Sequence, residues 1–140
     1  MSYGNPQDRA TDDTAVAAFT GAYGQRATSL PPVAIVIAAY NEEGAIGPVV
    51  KALPERVCGL ATAAIVVADG CADGTVKEAA AAGAMVCDVP VNRGQGAALR
   101  LGYRIARAGG AQYIVTTDAD GQYNPLELSL IHISEPTRPY

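Results

Sequence analysis

The densest chemistry in this 140-residue chain lies at Asp118, Ala119 and Asp120, directly after the apolar run Tyr113 to Thr117. Two carboxylates one residue apart at a strand end can share a hard divalent cation, which prefers oxygen ligands and whose charge a diphosphate can offset. Gln122 adds a neutral oxygen within reach. The triplet by itself also suits a solvated turn, since acidic residues before Gly are common in loops. A second carboxylate, Asp69, closes another apolar run in VVADGCADGT, where Asp73 is the better placed helix N-cap. Asp69 is thereby left either to accept N–H donors from a nucleobase or to shape its turn. Asn92 to Gly96 carries two glycines two residues apart, but Leu99 stands where a dinucleotide fingerprint needs its third. These glycines instead permit a tight turn that brings the next helix N-terminus near an anionic ligand.

Such groups need a scaffold that gathers strand ends. Val33 to Ala39 is a continuous apolar run with β-branched residues at alternate positions, as in a central parallel strand covered on both faces. Ile46, Val49, Val50 and Leu53 then recur at helical spacing up to Pro54. Ala64 to Ala68 predicts a second strand, Thr75 to Ala82 a helix ending at Gly83, and Ala84 to Val89 a third strand. A helix with Ala97, Ala98, Leu101, Ile105 and Ala108 on one side precedes the strand Tyr113 to Thr117. The predicted order is βαβαβαβ: an α/β, Rossmann-like parallel sheet with right-handed crossovers. Ligands of such sheets sit at the carboxyl ends of the strands, where the acidic and amide residues cluster.

Composition narrows the class. With 49% hydrophobic and 17% charged residues the chain can bury a core, which excludes a disordered or fibrous protein. A net charge of −4 and no basic patch argue against a nucleic-acid partner. No apolar stretch reaches the ~18 to 20 residues a membrane span needs, and the polar start MSYGNPQDRATDD lacks signal-peptide character. The expected location is cytoplasmic, or the cytoplasmic face of a membrane for the intact protein. Cys58, Cys71 and Cys87 are odd in number and not metal-spaced, so they are expected to be reduced packing residues. Residues 1–31 show only a short apolar patch, Val16 to Phe19, and predict a disordered arm.

Four ordered motifs, AAYNEEG, VVADGCADGT, NRGQGAALRLG and TTDADGQYNP, together resemble the family 2 glycosyltransferases. The nearest likeness is to members that transfer sugar to a polyprenyl phosphate, such as dolichol-phosphate mannosyltransferases. The resemblance implies the N-terminal, nucleotide-binding half of a GT-A fold over residues 32–127. It implies a UDP- or GDP-linked sugar as donor, Mg²⁺ or Mn²⁺ as cofactor, and inversion at the anomeric carbon. Ala38, Tyr40 and Glu42 match positions that wall the nucleoside, and Asp69 matches the base-reading carboxylate. Asp118, Ala119 and Asp120 match the metal and diphosphate motif, with Gln122 a further ligand. Two departures stand out: Ala68 and Cys71 replace a usual Asp and Ser, and Gln95 replaces a frequent Lys, which removes a positive charge near the phosphates. A nucleotidylyltransferase or a noncatalytic Rossmann module would instead carry a Gly-rich loop after the first strand, where this chain has AAYNEEG.

The end of the chain reads differently. LSLIHISEPTR, Leu128 to Arg138, resembles the translation of a transposon-type sequencing adapter, and the next adapter base fits the codon of Pro139. Residues 128–140 are therefore expected to be an artefactual tail, and His132, the only histidine, is given no role. On this reading the catalytic base lies beyond Glu127 in the natural protein, and the 140-residue chain is expected not to turn over. Amplification of the source locus across the Glu127 codon is predicted to yield different codons downstream; genomic DNA that continues through LSLIHISEPTR would refute the tail.

Overall fold

A computed structural model of the chain describes residues 6–119 and, for the backbone, 129–132. The elements in chain order are α1 (Pro6–Tyr23), α2 (Gln25–Thr28), β1 (Val33–Ala39), α3 (Ile46–Ala52), β2 (Arg56–Val57) and β3 (Leu60–Asp69). There follow α4 (Thr75–Ala81), β4 (Met85–Val89), α5 (Gln95–Ala108), β5 (Tyr113–Asp118) and β6 (Ser129–His132). The expected βαβαβαβ series is β1, α3, β3, α4, β4, α5, β5. Its four strands lie parallel in the order β4-β3-β1-β5. Two short strands extend it: β2 turns back on the start of β3, and β6 pairs antiparallel with β5.

The central strand explains the layers. All of β1 is buried apart from half-buried Ala38, and side-chain alternation divides it between two cores. Ala34 and Val36 face α5 and α1, together with Ile65, Val67, Leu101 and Ile105. Val33, Ile35 and Ile37 face the α3 and α4 side, together with Val49, Val66 and Ala79. A strand buried on both faces has no polar position to spare, which is why it reads as an unbroken apolar run. Its register sets the site: Ala39 is level with Ala68 of β3, and Ala38 with Asp118 of β5.

The expectation of a disordered arm over residues 1–31 is corrected by α1 and α2. Helix α1 buries Asp12, Ala15 and Phe19, which recur at helical spacing. One of the three is charged and one is small, so the buried stripe carries too little hydrophobic contrast to show as a period. The helix packs on β4, its Ala15 and Phe19 sharing a core with Met85 and Cys87, and it reaches that edge strand's backbone through Tyr23. The Val86 N–H donates to the Tyr23 hydroxyl at 2.8 Å. Cys87 lies beneath α1, its thiol aimed at the Ala15 carbonyl, and burial, helped by the Asp12 and Asp88 charges, pushes its pKa up to about 12. It is a neutral packing group, as expected for all three cysteines. Cys58 departs from that expectation, standing exposed in the β2–β3 turn with φ of 52°.

No helix among the described residues is long and apolar enough to cross a membrane. Because Phe19 is almost wholly buried, Phe19→Ala is predicted to destabilise the chain by about 3 kcal/mol in urea unfolding. A free arm would give no change.

Candidate functional site

The turns after β1 and β3 hold each other. Asn41 takes a left-handed φ of 50°, a conformation Asn tolerates, and its side-chain oxygen accepts the Ala72 N–H at 2.8 Å. In return the Asn41 N–H reaches the Cys71 sulfur, whose thiol points to the Ala39 carbonyl. The Glu42 N–H donates to the Thr75 hydroxyl, the Glu43 N–H to Asp73, and the Gly74 N–H to the Glu43 carboxylate. Glu78 of α4 takes the Gly44 and Gly47 N–H groups at 2.7 and 2.6 Å, so it caps α3 from a neighbouring helix. Asp73 is not the N-cap itself: that position is Gly74, and Asp73 stands one residue outside it, accepting the Thr75 N–H at 3.0 Å. The Thr75 hydroxyl, helped by the Thr75 and Glu43 backbone N–H groups, holds the Asp73 carboxyl below its ordinary value.

Asp69 anchors the third turn. It is 3% exposed and ends β3. One carboxylate oxygen accepts the Arg93 N–H at 3.0 Å; the other accepts the Gly94 N–H at 2.9 Å and the Asn92 amide at 3.2 Å. The Asn92 amide also donates to the Asp69 carbonyl. A buried carboxylate must find such donors, since leaving one unpaired costs several kcal/mol. The turn after β4 therefore folds onto the end of β3. That closeness dictates Gly70, which has φ of 73° and where a Cβ would sit 2.2 Å from the Asn92 nitrogen.

A cleft of about 390 Å³ opens where these turns meet. Ala38, Tyr40 and Glu42 line it from β1 and its turn, Asp69 from β3, and Asp118 and Ala119 from β5. The structure thus brings together at one cleft six of the eight residues expected at the donor site. Asp120 and Gln122 lie outside the described residues. Asn92, Gly94 and Gln95 also line the cleft. Sequence reading placed that turn near an anion and missed the Asn92 amide on Asp69; an Asn just before a glycine turn was the available signal.

The cleft lining described here carries three carboxylates, Glu42, Asp69 and Asp118, and no Lys or Arg. Gln95 offers no charge, and the neighbouring Arg93 sends its guanidinium away to α1. Oxygen donors without a competing cation fit a hard divalent ion. Among the described residues no three His, Cys, Asp or Glu side chains are grouped closely enough to hold one; of the expected set Asp118, Asp120 and Gln122, only Asp118 is among the described residues.

In an open parallel α/β sheet, a polar cleft at the carboxyl ends of the strands is where ligands bind. A family model described as glycosyl transferase family 2 matches residues 34–131, and the chain belongs to that family. The match runs into the segment expected to be an artefactual tail. An uncharacterized protein of Methanocaldococcus jannaschii is 37% identical over 97 residues, 69% of this chain and 39% of that protein. Glucosyl-3-phosphoglycerate synthase from Mycobacterium tuberculosis, solved with Mn²⁺, UDP and glucosyl-3-phosphoglycerate, is 28% identical with a TM-score of 0.51. That alignment covers 74% of this chain and 37% of the synthase. A UDP complex of the same enzyme gives 29% identity, a TM-score of 0.52, and coverage of 75% and 36%. The fold is that of the N-terminal part of a GT-A glycosyltransferase, and the chain spans about two fifths of the relatives it matches.

Gly70→Ala is predicted to cost more than about 3 kcal/mol, because backbone on both sides of the contact must move. Gly83→Ala, with φ of 109° but nothing within 4 Å, is predicted to cost about 1 kcal/mol of backbone strain. Chemical denaturation of the two variants checks the difference, and equal losses would refute the close approach.

Proposed function

We propose that this chain supplies the donor half of a glycosyltransferase that takes a sugar from a uridine-diphosphate sugar with Mg²⁺ or Mn²⁺. The observation that carries the reading is the meeting of Tyr40, Asp69 and Asp118 at one cleft. Tyr40 is 52% exposed there, and an exposed ring at a ligand site offers a stacking face for a base. Asp69 already accepts three N–H groups, and a carboxylate has about four acceptor positions, so it has room for one more donor. Uracil presents one ring N–H on its pairing edge, whereas guanine presents an N–H and an amino group together. One open position therefore suits uracil better. The UDP in the solved mycobacterial synthase supports the same choice.

The diphosphate would lie toward Gly94 and the N-terminus of the 14-residue helix α5, whose free N–H groups and dipole favour an anion. With three carboxylates and no cation lining it, the cleft itself repels a diphosphate. Asp118, with Asp120 and Gln122 from the same motif, would hold the metal, which supplies the missing positive charge and stabilises the departing diphosphate. An acceptor oxygen attacks the anomeric carbon as the nucleoside diphosphate leaves. A polyprenyl phosphate as acceptor would bring an oxygen that is already anionic and needs little help from a base, whereas a sugar hydroxyl would need a carboxylate base. The 140 residues are expected to bind donor nucleotide without turnover.

Calorimetric titration of UDP and GDP in the presence of Mn²⁺ tests the proposal. UDP is expected to bind about tenfold more tightly than GDP, and either EDTA or Asp118→Asn to weaken UDP by tenfold or more. UDP affinity indifferent to both EDTA and the substitution would contradict the metal-dependent donor site.

A further inference from the structure

Arg93 belongs to the turn that closes on Asp69, yet its side chain serves another element. The guanidinium is largely buried and pairs with Asp12 of α1 at 2.5 Å, while its other terminal nitrogen reaches the Asp8 carbonyl at 3.3 Å. The Asp8 carboxylate lies 3.9 Å away on the same side. Asp12 is only 2% exposed. A buried ion pair is a poor stabiliser compared with apolar packing, because both charges must be desolvated. What such a pair does well is fix a geometry, here through a planar, forked donor.

The geometry fixed is that of the cleft. From Asp12 the connection runs through the Arg93 side chain to the Arg93 N–H on one oxygen of Asp69, and through Gly94 to the other oxygen. Both Asp69 and Gly94 line the cleft. We propose that α1 is a working part of the donor site, with Asp12 and Arg93 as positioning residues. Through them α1 holds the Asn92–Gly94 turn so that Asp69 keeps one acceptor position open toward the base. The affinity part of this inference rests on the proposed function; the mechanical part does not. A further ion pair of α1, Asp13 to Arg104 at 2.8 Å, is partly exposed and ties α1 to α5 instead of to the turn.

Two readouts on the 140-residue chain test the proposal, using Asp12→Asn, Arg93→Gln, their double variant and Asp13→Asn. In UDP titrations with Mn²⁺, each of the first two is expected to weaken binding by about 5- to 20-fold. The double variant should be no weaker than the worse single one, and Asp13→Asn should stay within twofold of the parent. In hydrogen exchange without nucleotide, the Arg93 and Gly94 amides of Asp12→Asn should exchange at least about tenfold faster. If Asp12→Asn does not fold, Arg93→Lys keeps the charge, loses the fork, and should still weaken UDP by about threefold. A purely stabilising pair would lower the melting temperature of the variants yet leave both UDP affinity and amide exchange at parental values, and that result would overturn the proposal. A parent that fails to bind UDP would overturn the functional reading instead, and amide exchange alone would then decide whether α1 holds the turn.

Discussion

A carboxylate buried at the end of a parallel strand has to be satisfied by whatever chain passes next to it, and Asp69 imposes that requirement on this fold. Among the described residues its three N–H donors all come from residues 92–94, at the far end of the next β-α unit. The turn after β4 is consequently drawn against β3, Gly70 becomes obligatory, and α5 starts at the cleft. The penalty for leaving such a group unpaired exceeds the worth of most single contacts in a domain this size. The polar end of the sheet is therefore as strongly specified as its apolar middle.

The other turns are organised by the same rule on a smaller scale. Backbone N–H groups after β1 are taken up by side chains after β3, and the Asn41 oxygen repays one of them. Each partner supplies what the other lacks, so two irregular segments share one conformation. Tyr40 and Glu42 are held at the cleft by this exchange and by the register that sets Ala39 level with Ala68. Electrostatics gives the site its character: three carboxylates wall the cleft and the N-terminus of α5 opens at one end, so the proposed diphosphate would need a cation beside it.

Much of this was legible in the sequence where burial and apolarity coincide. The strands buried on both faces, such as Val33 to Ala39, announced themselves as apolar runs, their ends pointed to Asp69 and Asp118, and the family resemblance added Ala38, Tyr40, Glu42 and Ala119. Helix α1 was not legible, because its buried face uses Asp12 and Ala15 beside Phe19 and depends on Arg93, some eighty residues away. The same limit hid Glu78 as the cap of α3 and displaced the cap from Asp73 to Gly74: partners about thirty residues apart decide those hydrogen bonds, and no local pattern encodes them. The two-residue strand β2 and the exposed Cys58 in its turn are too short a signal for periodicity to register.

The proposed donor site puts a nucleotide and a divalent metal in the cleft between Tyr40, Asp69 and Asp118. Paramagnetic broadening of backbone amide resonances by Mn²⁺, recorded with and without UDP, maps that directly. UDP is expected to concentrate the broadening on Ala38 to Glu42, Asn92 to Gly96 and Asp118 to Ala119, and to leave the opposite end of the sheet sharp. Broadening that ignores UDP, or that centres away from the carboxyl ends of the strands, would contradict it.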